Sequence, residues 1–317
     1  MMAERQKAAN SLVCVGLDPL PEKLPDDVKA VVSRRRRSSD GDDWLLISHW
    51  MKKIVDATAP FTSLYKPQSA HYEAMPGGRT ALRHIVGHIH RNHPTIPVFL
   101  DCKRGDIGRT QARYRVAHFE IDGVDGMNFS PYMGEDCMEY LVDEGKLRAI
   151  VGLCYTSNPS ARQVQDLQLS REQTRKLGFA EERVSLWEAI AKFTMDWGIE
   201  LGVNENTGLV MAAAYKPKEA EASLSENKSP DKVFSWHLKR GREIVGNKAW
   251  FLIPGIGTQG GEEKETVEAG YLGPGSVAIN SSSDIIFASS GEDYAQAAAG
   301  KAEEMRDKLR AAVGSVA

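Results

Sequence analysis

Eight short apolar runs, each separated from the next by a helix-length or polar stretch, predict an α/β chain folded as a (β/α)8 TIM barrel. Two further observations support that class. Polar residues able to do chemistry recur just after the runs, at the strand ends where a barrel carries its site, and 317 residues suit one barrel domain spanning 1–317. A doubly wound open sheet is the alternative architecture.

The first run, 12–17, ends at Asp18. The second, 61–65, is followed by Lys66, and between the two lies a helical pattern at 44–57. A second amphipathic stretch at 79–93 leads to the run 98–100, which meets Asp101 and Lys103. The fourth run, 124–127, precedes Asn128 and Ser130, and the fifth, 149–153, precedes Thr156 and Ser157. A helical pattern at 186–197 leads to the run 208–213, and one at 235–245 leads to 250–253, after which comes Gln259. The pattern 262–272, the last run 277–279 and a long amphipathic stretch at 294–313 complete the repeat. Insertions are expected near 33–43, 160–183 and 216–232, as covering or decorative segments.

Asp101 and Lys103 are the most informative pair. Side chains on a strand alternate faces, so residues two apart point the same way. At the end of a buried run this sets a carboxylate beside an ammonium where water is scarce and fields are strong. A single Asp-x-Lys is also what a structural ion pair at a strand end would look like.

Composition narrows the function classes. A net charge of −3 gives no global attraction to nucleic acid or an anionic membrane. The basic run Arg34 to Arg37 is answered by Asp40, Asp42 and Asp43 and reads as a solvated loop. Cys14, Cys102, Cys137 and Cys154 lack C-x-x-C spacing and read as small buried thiols of a reducing compartment. With no apolar signal core at the start and no membrane-length apolar window, a cytoplasmic protein is expected.

Gly255-Ile256-Gly257-Thr258-Gln259-Gly260 matches G-x-G-x-x-G, with Asp284 at about the spacing of a ribose-binding acid. It suits either a dinucleotide fingerprint, a plain turn, or a barrel's phosphate loop. A dinucleotide fold would need several more strand and helix units afterwards, and one of each remains. Glycines in the loop after strand seven would let backbone N–H groups approach a phosphate closely.

Taken together, Val15-Gly16-Leu17-Asp18-Pro19, Tyr65-Lys66-Pro67-Gln68-Ser69-Ala70, Asp101-x-Lys103-x-x-Asp106-Ile107, Thr156-Ser157-Asn158-Pro159 and Pro254 through Gly261 resemble the orotidine 5'-phosphate decarboxylase family, in its longer, mainly bacterial subgroup. The likeness runs from about Ser11 to Asp293. It implies a lyase of pyrimidine (UMP) biosynthesis that converts orotidine 5'-phosphate to UMP and CO2 without metal or organic cofactor. The implied catalytic residues are Lys66, Asp101, Lys103 and Asp106. Asp18, Ser157, Pro254, Gln259 and Gly260 are implied to bind substrate together with Thr110, and a homodimer is implied in which Asp106 and Thr110 reach the neighbouring site. Loss of CO2 leaves a carbanion on the ring, so a cation beside the developing charge and a proton to give are needed, and Lys103 suits both tasks.

One departure is marked. Where the family pattern places an Arg that forks onto the phosphate, followed by Gly, this chain reads Ser283-Asp284. A hydroxyl brings no charge and an Asp repels a dianion, so a weaker hold on phosphate is expected. That departure leaves two rivals: a barrel relative acting on another sugar phosphate, or a faded nucleotide-binding homologue. A magnesium-dependent relative would carry a carboxylate in place of one Lys of the array, whereas here the Lys is present.

His84, His88, His90 and His93 crowd one predicted helix. Lacking a Glu partner in that segment, they are expected to face solvent or cap the helix rather than to hold a metal. The apolar face of Tyr294, Ala298, Met305, Leu309 and Val313 is expected to be the last barrel helix.

Overall fold

The computed structural model describes residues 1–33, 43–143, 145, 146, 148–216, 233–256 and 262–315. The basic run, most of the expected insertions 33–43 and 216–232, and both Gln259 and Gly260 lie outside the described residues.

Each apolar run becomes a strand: β1 Val13–Leu17, β2 Leu64–Pro67, β3 Phe99–Arg104, β4 Gly126–Phe129, β5 Ala149–Tyr155, β6 Thr207–Met211, β7 Trp250–Pro254 and β8 Val277–Ser281. The strand order is β2-β1-β8-β7-β6-β5-β4-β3, and parallel bridges Tyr65↔Val98 and Gln68↔Asp101 join β2 to β3. This is the order of the expected (β/α)8 barrel.

Two strands are displaced from their runs, and both displacements bear on chemistry. Residues Ala59–Phe61 form a 3-10 turn, as Pro60 has no N–H to give a ladder, so β2 starts at Leu64 and takes in Lys66. β3 likewise runs on through Asp101 and Lys103, which the sequence placed after the strand. Elsewhere the runs and strands differ by one or two residues, the usual uncertainty of an element's end.

The chain packs as two compact units. The first comprises Met1–Cys102, Arg113–Met127 and Ala278–Ala317. Within it, helix Gly78–Asn92 buries Ala81, Leu82, Ile85, Val86 and Ile89, one apolar stripe at helical spacing. Helix Tyr294–Gly314 buries Tyr294, Ala298, Met305 and Leu309, as its periodicity predicted, and packs on helix Asp43–Thr58. A helix at Met2–Ala9, not foreseen, is fastened by Arg5, whose guanidinium donates to the carbonyls of Ala59 at 2.5 Å and Thr62 at 2.9 Å. Gly16 on β1 is required by close approach: a Cβ there would lie 2.5 Å from the Cβ of Ser282.

Of the histidines expected to face solvent or cap the helix, His84 is exposed and His93 is the C-cap, while His88, His90 and His93 are half-buried and each finds a carboxylate. His84 stands edge-on to Trp44 at 5.3 Å, and His90 Nε2 lies 2.9 Å from Asp125. His88 and His93 both reach Asp56, at 2.7 and 3.0 Å. The carboxylate missing from their own segment is supplied by helix Asp43–Thr58, 32 and 37 residues away in sequence.

The second unit comprises Lys103–Ala112 and Asn128–Val277. Helix Leu186–Glu200 starts at a capping box of Ser185 and Glu188 and buries Trp187, Ala189, Ala191 and Met195. Arg242 is buried and donates to four backbone carbonyls, those of Gly270, Gly246, Ala249 and Ser276, at 2.6–2.9 Å. Its guanidinium lies 3.6 Å from the Phe251 ring centroid, and burial pushes its pKa down to about 9. The expected insertion 160–183 is folded: helix Arg162–Gln165 and helix Arg171–Lys176, the latter with a Ser170/Gln173 capping box. All four cysteines are buried and free, in keeping with their sequence context.

Candidate active site

In the first unit, Lys66 on β2 and Asp101 on β3 form an ion pair, Nζ to Oδ2 3.3 Å, with side chains only 5% and 15% exposed. Burial by itself would push the Lys66 ammonium down, but the Asp18 and Asp101 carboxylates reverse this and hold it above its ordinary value. Lys66 is therefore a fixed cation at neutral pH. Asp18, just past β1, accepts the Gln68 N–H at 3.0 Å, which ties the end of β1 to the chain following Lys66. Cys14 lies behind this group and donates to Asn280 Oδ1 at 3.5 Å. Its thiol is pushed up to about 12, chiefly by burial, so it is no nucleophile at neutral pH.

Ser283 is exposed and opens the short helix Ser283–Ile286, while Ser282 Oγ is buried with no hydrogen-bond partner among the described residues.

In the second unit, Lys103 sits at φ 46°, in the left-handed region that non-glycine residues rarely enter. Lys103 is exposed. The backbone of Lys103 is held: its N–H donates to Asn128 Oδ1 at 2.7 Å, and the next carbonyl, of Arg104, accepts from Ser130 N–H at 2.7 Å. Asn128 is fully buried on β4 and was legible in sequence only as one polar residue following a run. Its role as the anchor of Lys103 was missed, because nothing in the chain order links residue 128 to residue 103.

Asp106 is half-buried, with Oδ1 accepting the Ile107 N–H at 2.8 Å, and Thr110 is exposed on helix Gly108–Arg115. Ser157 is exposed in a turn organised by its neighbour: Thr156 Oγ1 donates to Asn158 Oδ1 at 2.8 Å and Thr156 N–H to Gln165 Oε1 at 2.9 Å. Pro254 ends β7, its carbonyl accepting from Ala213 N–H at 3.2 Å.

The model of the orotidine 5'-phosphate decarboxylase / HUMPS family matches residues 11–298. The chain belongs to this family. An orotidine 5'-phosphate decarboxylase of Variovorax paradoxus is 36% identical over 313 residues, which cover 98% of this chain and 97% of that one. Among solved structures, the family member Leishmania donovani OMP decarboxylase aligns with a TM-score of 0.68 at 26% identity, covering 97% of this chain and 96% of the other. Leishmania donovani UMP synthase aligns with a TM-score of 0.70 at 27% identity, and the chain spans 55% of that structure's length. The family match begins at Ser11, where the sequence likeness also begins, and takes in every strand of the barrel. Among the described residues no helix is long and apolar enough to cross a membrane.

Proposed function

We infer that this chain is an orotidine 5'-phosphate decarboxylase, a carboxy-lyase that forms UMP and CO2 in pyrimidine biosynthesis. The buried Lys66–Asp101 ion pair on neighbouring strands, two residues before Lys103, is the observation that carries this reading. Near-full-length relatives of that name support it.

In the reaction the bond from ring C6 to the carboxylate breaks, CO2 leaves, and the electron pair stays on C6. Lys103 Nζ, a cation on a backbone anchored by Asn128, stabilises that pair and donates a proton to form the C6–H bond. Asp101 lies toward the substrate carboxylate, and like-charge contact there is relieved as CO2 departs. Lys66 keeps Asp101 ionised and fixed. Asp18 takes ribose hydroxyls, Ser157 the pyrimidine, and Pro254, Gln259 and Gly260 the phosphate end. The residues named supply both a cation and a proton, so the reading calls for no cofactor.

The same reading gives a cytoplasmic homodimer in which Asp106 and Thr110 serve the neighbouring protomer's site. Ile107, Tyr132 and Met133 support an interface there, being large apolar side chains left exposed.

The test is direct. Purified protein is given orotidine 5'-phosphate and the loss of substrate absorbance is followed with and without chelator. Conversion to UMP that is indifferent to chelator is expected. No conversion at high enzyme and substrate overturns the reading.

A further inference from the structure

The geometry points to a second site, in the helical layer rather than at a strand end: a surface site for one divalent transition-metal ion of the zinc class, with Asp56, His88 and His93 as its ligands. Asp56 lies near the end of helix Asp43–Thr58. His88 lies in the last turns of helix Gly78–Asn92 and His93 is its C-cap, where the backbone leaves helical geometry and brings the second imidazole round toward the first. Both Nε2 atoms converge on the same carboxylate oxygen, Asp56 Oδ1, at 2.7 and 3.0 Å. One ligand atom from each of the three residues lies within 4.8 Å of the others. Two imidazoles and a carboxylate are the donor set that borderline divalent ions prefer, and water would complete the coordination.

Little has to move to admit the ion. Ligand atoms around a tetrahedral zinc stand about 3.3 Å apart, given metal–ligand bonds of about 2.0–2.1 Å. The oxygen-to-nitrogen separations, 2.7 and 3.0 Å, have to open by about 0.6 and 0.3 Å, and the two nitrogens to draw together. In the metal-free molecule each Nε2 carries the proton it donates to Asp56. On binding, that proton shifts to Nδ1 of the same ring, so both Nε2 lone pairs face the metal and the imidazoles stay neutral. For His88 this engages Asn92, whose Nδ2 now lies 3.1 Å from Nδ1. Turning the Asn92 amide, which gives up its bond to the His88 carbonyl at 3.0 Å, presents its oxygen to the new N–H, the outer-shell contact that orients a metal-bound imidazole.

The charged surroundings set the strength of the site. Asp56 brings the single anionic ligand, its Oδ1 shared by both imidazoles. Lys52, one turn before Asp56, and Arg91, between the two histidines, oppose a bound cation and moderate its affinity. His88 and His93 are partly exposed, so an ion can enter from solvent. A bound ion would staple the C-terminal ends of two neighbouring helices.

Titration of untagged, chelator-stripped protein with zinc chloride, read by calorimetry and thermal unfolding, tests this. One saturable equivalent and a raised Tm are expected. Asp56→Asn and His93→Asn should each weaken zinc binding roughly tenfold or more, while His90→Asn, on the same helix but paired with Asp125, leaves it unchanged. No saturable equivalent, or one whose affinity in both ligand variants equals that of the unaltered protein, overturns the proposal. Should those variants fail to fold, cobalt(II) added to the unaltered protein gives an independent reading: visible bands of tetrahedral cobalt support the site and their absence overturns it. Zinc binding is read here without turnover, so this result and the decarboxylase reading fail separately.

Discussion

The side-chain oxygen of Asn128 accepts the backbone N–H of Lys103 at 2.7 Å, at the residue where the chain of β3 turns to φ 46°. A left-handed conformation costs a non-glycine residue roughly 1–2 kcal/mol, so it persists where its surroundings hold it. The buried amide of Asn128 is one such support, and the Ser130 N–H on the Arg104 carbonyl is another. Strain of this kind gathers at residues whose side chain must be aimed, and Lys103 is the proposed proton donor.

Asn128→Ala should therefore lower kcat about 10–100-fold with a smaller change in KM, since it frees the backbone that positions the donor without removing the donor itself. Steady-state kinetics of the two proteins decide the matter. Equal kcat values would mean that Lys103 is aimed by something other than Asn128.

Lys103→Ala removes both cation and proton, and a loss of at least about a thousandfold in kcat is expected. Single-turnover decarboxylation measures it. Retained conversion would assign the proton to another group.

Lys66→Met should destabilise the fold by about 3–5 kcal/mol, because it removes the buried cation that faces both the Asp101 and Asp18 carboxylates. Urea unfolding at neutral pH reads this. A much smaller loss would mean that solvent reaches the pair more freely than its 5% and 15% exposures indicate.

Alkaline stability follows from two groups whose folded pKa values are raised. Cys14 has an ordinary value of 9.0 and rises to about 12, so the folded state keeps a proton that the unfolded chain loses. Its contribution is complete below about pH 9 and declines as pH climbs toward 12. Lys66, raised from 10.5, adds a decline that begins above that value. Unfolding midpoints taken from pH 8 to 11 should fall, and Cys14→Ala should flatten the part that starts near pH 9. The same burial predicts that a thiol reagent at pH 8 labels none of the four cysteines in the native protein and all four after denaturation.

Ser283→Arg should lower KM for orotidine 5'-phosphate, since it restores a forked cation at an exposed position that has room for it. Michaelis kinetics with and without the substitution check this. An unchanged or higher KM would show that the phosphate is not gripped through position 283.

Much of this was legible in the residues alone. Hydrophobic periodicity located eight strands and six major helices because burial on one face is a local property, written at spacings of two or 3.6. The Asp101-x-Lys103-x-x-Asp106 spacing with Lys66 upstream named the family, since that chemistry is carried by residue types in a fixed order. Tertiary structure decided what depends on distant partners. It paired Lys66 with Asp101, because strand pairing brings residues 66 and 101 together, and it turned the backbone of Lys103 left-handed. It made Asn128 the anchor of that turn. It also gave His88 and His93 the carboxylate their own helix lacks, because packing two helices places Asp56 where no sequence spacing could predict it.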